Sequence, residues 1–181
     1  MVSKPTSDVI PPDRGRSVWE GRGLEQFEAV AAAISVIRLS RIVRSSLDDA
    51  LEPFDMSFGH FEVLGHLSFS KEGRVQMGKL CRLLDVHPAS MTNTIDRMAE
   101  RGLVERASDP SDRRAVLVRL TKQGAELYGA ATTALVGMRF GMRTLDDDKL
   151  NTLTEILGDL YEAYGLPAGE PGARGLNAIG H

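Results

Sequence analysis

The chain has 181 residues, of which 42% are hydrophobic and 26% charged, with a net charge of −3 and a single cysteine. These values fit one globular domain with extensions, large enough to bury a core without staples. They exclude an internal disulfide framework, a chain threaded through a bilayer by runs of about 20 apolar residues, and indiscriminate binding to nucleic acid.

The opening stretch, MVSKPTSDVIPPDRGR, has no apolar segment of the secretory kind. With the lone thiol of Cys81 it predicts a cytoplasmic protein. Residues 1–23 are rich in Pro, Gly, Ser and Arg and read as a flexible arm. From Leu24 to Leu51 the spacing is helical, with one apolar stripe of Phe27, Val30, Ile34 and Ile37. A second stripe holds Ala32, Val36, Leu39, Val43, Leu47 and Ala50. A helix apolar on two faces has to bury both, and a second chain is a natural cover. Pro53 ends this helix, and Ser57 is placed to cap the next, whose apolar positions are Phe61, Val63, Leu64 and Leu67. KEGR then reads as a turn, and VQMGKLCRLLDV as a short helix with Met77, Leu80 and Leu84 inward.

Pro88 suits the first turn of a further helix, because its missing N–H would be unpaired there anyway. His87 is an unusual cap for it, and Gly102 stops it after Arg101. On a helical wheel Met91, Ile95, Met98 and Ala99 form the core side, and Ala89, Asn93, Asp96, Arg97 and Glu100 the open side. Ser90 and Thr94 lie at one edge, and Thr92 near the core boundary. Short uncharged side chains let a helix approach a groove floor, where Ser, Thr and Asn can bond base edges or phosphates. The same composition is also ordinary helix-start chemistry.

Two β-rich runs follow, Leu103–Ala107 and Ala115–Leu120, joined by DPSDRRAV with Asp109-Pro110 starting the turn. Two long helices close the chain. Leu127, Ala131, Leu135, Met138 and Met142 form a seam in the first, and Leu150, Leu153, Leu157, Leu160 and Tyr164 in the second. GMRFG at 137–141 has the G-x-x-x-G spacing of close helix contact. Residues 166–181 read as a flexible tail. Between Lys71 and Lys122 eleven basic residues outnumber seven acidic ones, and between Gln123 and Tyr164 seven acidic residues outnumber three basic ones. A positive middle beside a negative end suits a protein that turns one face to a polyanion.

The element order predicts a mainly α (α+β) fold: a winged helix-turn-helix over residues 57–122, with N- and C-terminal helices (24–56 and 123–165) forming a dimerisation unit. A recognition helix set in a major groove brings the hairpin tip over the neighbouring backbone, where Arg113 and Arg114 would meet phosphates or a narrow minor groove.

VHPASMTNTIDRMAERGLVERASDPSDRRAVLVRLTKQG resembles the core of the MarR family of bacterial transcriptional regulators, and MSFGHFEVLGHL resembles its second helix. The resemblance implies a homodimer on a palindromic stretch of double-stranded DNA. By position it puts Ser90, Met91, Thr92, Asn93, Thr94 and Arg97 on the recognition helix and matches Asp112 and Arg114 to the wing's D-x-R, with Arg113 between them. Met91 is a core residue by the wheel. The expected DNA contacts are therefore Ala89, Ser90, Thr92, Asn93, Thr94, Arg97, Asp112, Arg113 and Arg114. His87 stands where some members carry a carboxylate, which leaves the tether of Arg114 open.

The family also implies an effector, such as a small aromatic or phenolic acid, between the dimer helices and the DNA-binding module, where Arg41, Arg44, His60, Phe61 and His66 fall. Solvation, or pairing with Asp48 and Glu52, accounts for the two arginines before ligand contact does. The family's peroxide sensors resemble one another in a cysteine near the start of the first helix. This chain has none there, and Cys81 reads as a buried inert thiol before it reads as a redox switch. No His, Cys and carboxylate cluster has metal-ligand spacing, and no phosphate loop, nucleophile elbow or paired-acid signature points to an enzyme or to a cofactor. Two other readings stand beside DNA recognition: a winged-helix module that binds protein only, and a redox-responsive regulator working through Cys81.

Overall fold

The structure is a computed structural model that describes residues 27–109 and 115–165. Both expected arms, 1–23 and 166–181, residues 24–26 of the expected first helix, and the wing residues Asp112, Arg113 and Arg114 lie outside the described residues.

Helix α1, Phe27–Leu51, buries only its C-terminal end, through Leu47 and Leu51. Pro53 stops it inside a 3-10 turn, Glu52–Phe54, after which Asp55 takes a left-handed backbone (φ 51°). Helix α2, Phe58–Ser68, is capped by Ser57, whose hydroxyl accepts from the His60 N–H at 3.3 Å. His60 Nδ1 accepts from the Ser57 N–H at 3.2 Å, so an imidazole completes the capping box where Glu or Gln usually does. The Asp48 carboxylate of α1 accepts from the Phe58 N–H at 2.6 Å and joins the two helices. Five residues of α2 are buried, Phe61, Val63, Leu64, Gly65 and Leu67, which makes it the central element.

Two expectations fail here. Residues Arg74–Gln76 form a strand, β1, not a turn and helix start, and helix α3 is confined to Met77–Leu83. Three residues are too few to show alternation. The strand exists because β3, Val116–Leu120, offers an open edge, on which Val75 pairs opposite Val118. Helix α4 is Pro88–Glu100, and β2 is Val104–Ser108. The sheet order is β1-β3-β2, antiparallel throughout.

Helix α5, Lys122–Gly137, starts at a tight junction. The Thr121 hydroxyl donates to the carbonyls of Gly102 (2.7 Å) and Leu103 (3.0 Å) and accepts from the Gly124 N–H (2.9 Å). A Cβ at Gly124 would stand 2.1 Å from the Leu103 carbonyl oxygen, so only glycine fits. The L-T-x-x-G run is therefore a weld between the hairpin's first strand and α5.

The seam expected to continue through Met142 is cut after Gly137. A second 3-10 turn, Arg139–Gly141, intervenes, with Arg139 (φ 51°) and Phe140 (φ 48°) in the left-handed region. GMRFG is this break: among the described residues nothing lies within 4 Å of where a Gly137 Cβ would be, and at Gly141 a Cβ would meet only Val43 of α1, at 3.7 Å. The break turns Phe140 onto Phe61, ring centroids 6.2 Å apart. Helix α6, Asp147–Ala163, is capped by Asp146 and has no buried residue.

One core unites these elements. Leu47 and Leu51 of α1, the apolar face of α2, Val75, Leu80, Met91, Ile95, Met98, Val118 and Tyr128, Ala131 and Leu135 of α5 form a single cluster. No helix among the described residues is long and apolar enough to cross a membrane.

Candidate nucleic-acid interface

Helix α4 is driven into the core by Met91, Ile95 and Met98, each at most 1% exposed. That burial fixes which residues face outward. Ala89, Ser90, Asn93 and Arg97 are exposed, and Thr92 and Thr94 are half-buried. The two threonines are occupied: Thr92 donates to the Pro88 carbonyl (2.9 Å) and Thr94 to the Ser90 carbonyl (3.0 Å). Among the described residues nothing bonds to the side chains of Ser90 and Asn93, so both are open to an external acceptor or donor. His87 is committed to its own helix, its Nδ1 accepting from the Ala89 N–H at 3.2 Å.

Three polar ties hold α4. Thr92 reaches Met77 Sδ of α3 at 3.7 Å. Asp96, on the open side, pairs with Arg106 of β2. At the C-terminus Arg101 donates through Nη2 to the Phe54 carbonyl (3.1 Å) and through Nη1 to the Asp55 carbonyl, with the Asp55 carboxylate 3.5 Å away.

The wing's base is also built. Asp109, only 7% exposed, accepts from the Gln76 amide of β1 at 2.6 Å, and its N–H donates to the Ala115 carbonyl at 3.1 Å. The two strands thus meet at a closed, hydrogen-bonded neck between Asp109 and Ala115. Asp109 was expected as a turn residue. Its anchoring role, and those of Gln76, Arg101 and Arg106, escaped the sequence reading, because each partner is distant in sequence or belongs to the backbone.

Helix, neck and sheet together form a winged helix-turn-helix. A MarR family model matches residues 54–115. Sco5413, a MarR family transcriptional regulator from Streptomyces coelicolor, superposes with a TM-score of 0.71 at 34% identity, covering 76% of this chain and 96% of that one. The chain belongs to the MarR family. YhbI of Bacillus subtilis, an uncharacterized HTH-type transcriptional regulator, is 33% identical over 115 residues, 63% of this chain and 73% of the relative. A mutant E. coli MarR complexed with operator DNA gives a TM-score of 0.65 at 25% identity, covering 76% of this chain and 99% of that one. This MarR-family chain is a DNA-binding transcriptional regulator.

The residues expected around an effector do not share one surface. Phe61 is buried in an aromatic cluster, 4.9 Å from the Tyr128 ring and 5.8 Å from the Phe58 ring. His60 serves the capping box, and burial, then Arg101 and Arg97, hold its pKa below the usual imidazole value against Asp55 and Asp48. His66 is half-buried. Arg41 and Arg44 are exposed on α1, and the Arg44 guanidinium lies 5.8 Å from the Phe58 ring centre. Beside it, burial pushes the Glu62 carboxyl above the usual carboxylate range, opposed by Arg44 and assisted by Asp48. Cys81 is half-buried against the core. Among the described residues no group of three or more His, Cys, Asp or Glu could hold a metal ion.

Proposed function

We propose that the chain acts as a homodimeric repressor on a palindromic operator and lets go when a small anionic aromatic molecule binds. Residues 57–122 form the DNA-binding module, and 24–56 with 123–165 the dimerisation unit. Ser90 and Asn93 read bases and Ala89 lets the helix approach the groove floor. Thr92, Thr94 and Arg97 bind the backbone beside the groove, and Arg113 and Arg114 of the wing, with Asp112 orienting one of them, meet phosphate or minor groove. The observation that carries the DNA-contact part is the open pair Ser90 and Asn93, on a helix whose opposite face is sealed into the core.

The dimer rests on exposed apolar residues gathered on the terminal helices: Ile37 and Leu39 of α1 are 54% and 56% exposed, Ile156 of α6 54% and Tyr164 just beyond it 82%. The effector rests on Arg41 and on Arg44 above Phe58, where a cation beside a ring suits an aromatic carboxylate. CouR of Rhodococcus jostii, a structural neighbour at 25% identity, is known bound to p-coumaroyl-CoA.

Selection of bound duplexes from a random pool, repeated with phenolic acids present, tests the whole reading. It predicts an inverted-repeat consensus and weaker capture with an active acid. Binding should also fall steeply as salt rises. A protein that captures no duplex at low salt would sink the DNA-contact assignment.

A further inference from the structure

The apolar face of helix α4 sits in the core it shares with Leu47 and Leu51 of α1, a contact without direction, and the Asp96–Arg106 pair ties the helix to β2. Among the described residues only one side chain of the α4 segment bonds to the stretch that leaves α1: Arg101. Its planar guanidinium spans two backbone carbonyls, those of Phe54 and Asp55, in the turn that ends α1. Carbonyls at a helix end have no intrahelical partner, and a guanidinium fork matches two of them as an ammonium cannot. The cation also sits at the negative end of the α4 dipole.

We infer that Arg101 is a positioning residue that sets the angle between the recognition helix and the dimer axis, and so the half-site spacing the dimer accepts. The inference rests on the paired half-site reading above. Helix α4 has 13 residues and is therefore roughly 20 Å long. A swing of about 10° around its C-terminal tie moves the reading end by about 3 Å, close to the rise of one base pair. Arg101 thus works as a strut that fixes the tilt of α4, and its removal lets the helix re-seat within the shared core over a distance the operator can register.

The test uses the full-length protein and a duplex chosen by selection. One series has one base pair added or removed between half-sites, and a control duplex carries a single half-site. The wild type should prefer one spacing by about tenfold or more, since one base pair shifts and turns the second half-site out of register. Arg101→Ala should bind the best spacing about tenfold more weakly, lose most of its preference among spacings, and keep single half-site binding within about twofold. Arg101→Lys keeps the charge but not the fork, so it should show the same flattened preference. Far-UV circular dichroism and sedimentation check that both variants are folded and assembled; the lysine variant carries the test if the alanine variant is not.

A spacing profile unchanged from wild type would overturn the inference. So would equal weakening on every duplex with full rescue by lysine, which marks a plain phosphate contact. A wild type without any preferred spacing would overturn the paired half-site reading, and the strut with it.

Discussion

At Gly124 the chain has no room for a methyl group: the Leu103 carbonyl oxygen stands 2.1 Å from where a Cβ would go, and the Leu120 side chain 3.0 Å away. Gly124→Ala must push the start of α5 away from β2, at a cost of about 1–3 kcal/mol or more. A lowered thermal midpoint with an unchanged cap would show it; an unchanged midpoint would refute the weld. His60 carries a pH effect. Its folded pKa is lowered, chiefly by burial, while the unfolded chain titrates near the ordinary imidazole value of 6.5. The folded state therefore binds fewer protons, and its contribution is complete above pH 6.5 and lost as pH falls through the folded value. Glu62, with a raised pKa, contributes with the opposite sign from 4.5 upward. His60→Gln preserves the capping box, since Gln also accepts at that position, and removes the titration. Urea midpoints measured from pH 7.5 to 5.5 should fall less in His60→Gln than in the wild type; parallel curves would exclude the imidazole as the source.

The wing depends on its neck. Asp109→Ala removes the buried carboxylate that accepts from the exposed Gln76 amide; water can take over that amide, so the loss is that of one hydrogen bond to a charged group, about 1.5–3 kcal/mol at most. Affinity should drop for all duplexes alike, and amides of β3 should exchange faster; normal exchange in Val116–Leu120 would contradict the anchoring role. The helices were legible wherever side chains report on their own neighbours. Ser57 and Pro88 marked helix starts, Gly102 an end, and Met91, Ile95 and Met98 the inward face of α4. Strand β1 was not, because its three residues take their conformation from β3. The break after Gly137 was hidden for a different reason: Arg139 and Phe140 are not residues that announce left-handed backbone, and packing of Phe140 on Phe61 holds them there. Arg101 left no trace in sequence, since it grips backbone carbonyls 46 and 47 positions away.

For the whole molecule, the proposed dimer rests assembly on the exposed apolar residues of α1 and α6. Ile37→Asp together with Leu39→Asp should yield a folded monomer by sedimentation, because neither residue is buried within one chain. The same variant should lose about 100-fold or more in affinity for a two-half-site duplex, as the second contact ceases to be intramolecular. A dimeric double variant would place the interface elsewhere. Surplus positive charge between Lys71 and Lys122 and negative charge after it would give the proposed dimer a polarity that favours its basic side toward DNA.

The shared core has a consequence for how the reading head can be inherited or borrowed. Leu51 of α1 and Leu135 of α5 are completely buried in the same cluster as Ile95 of the recognition helix. No cut through the chain separates a self-sufficient DNA reader from its handles. An excised 57–122 fragment should fail to fold, and the whole chain should melt in one step. Grafting a new specificity onto this scaffold therefore means replacing side chains on α4, not swapping a cassette.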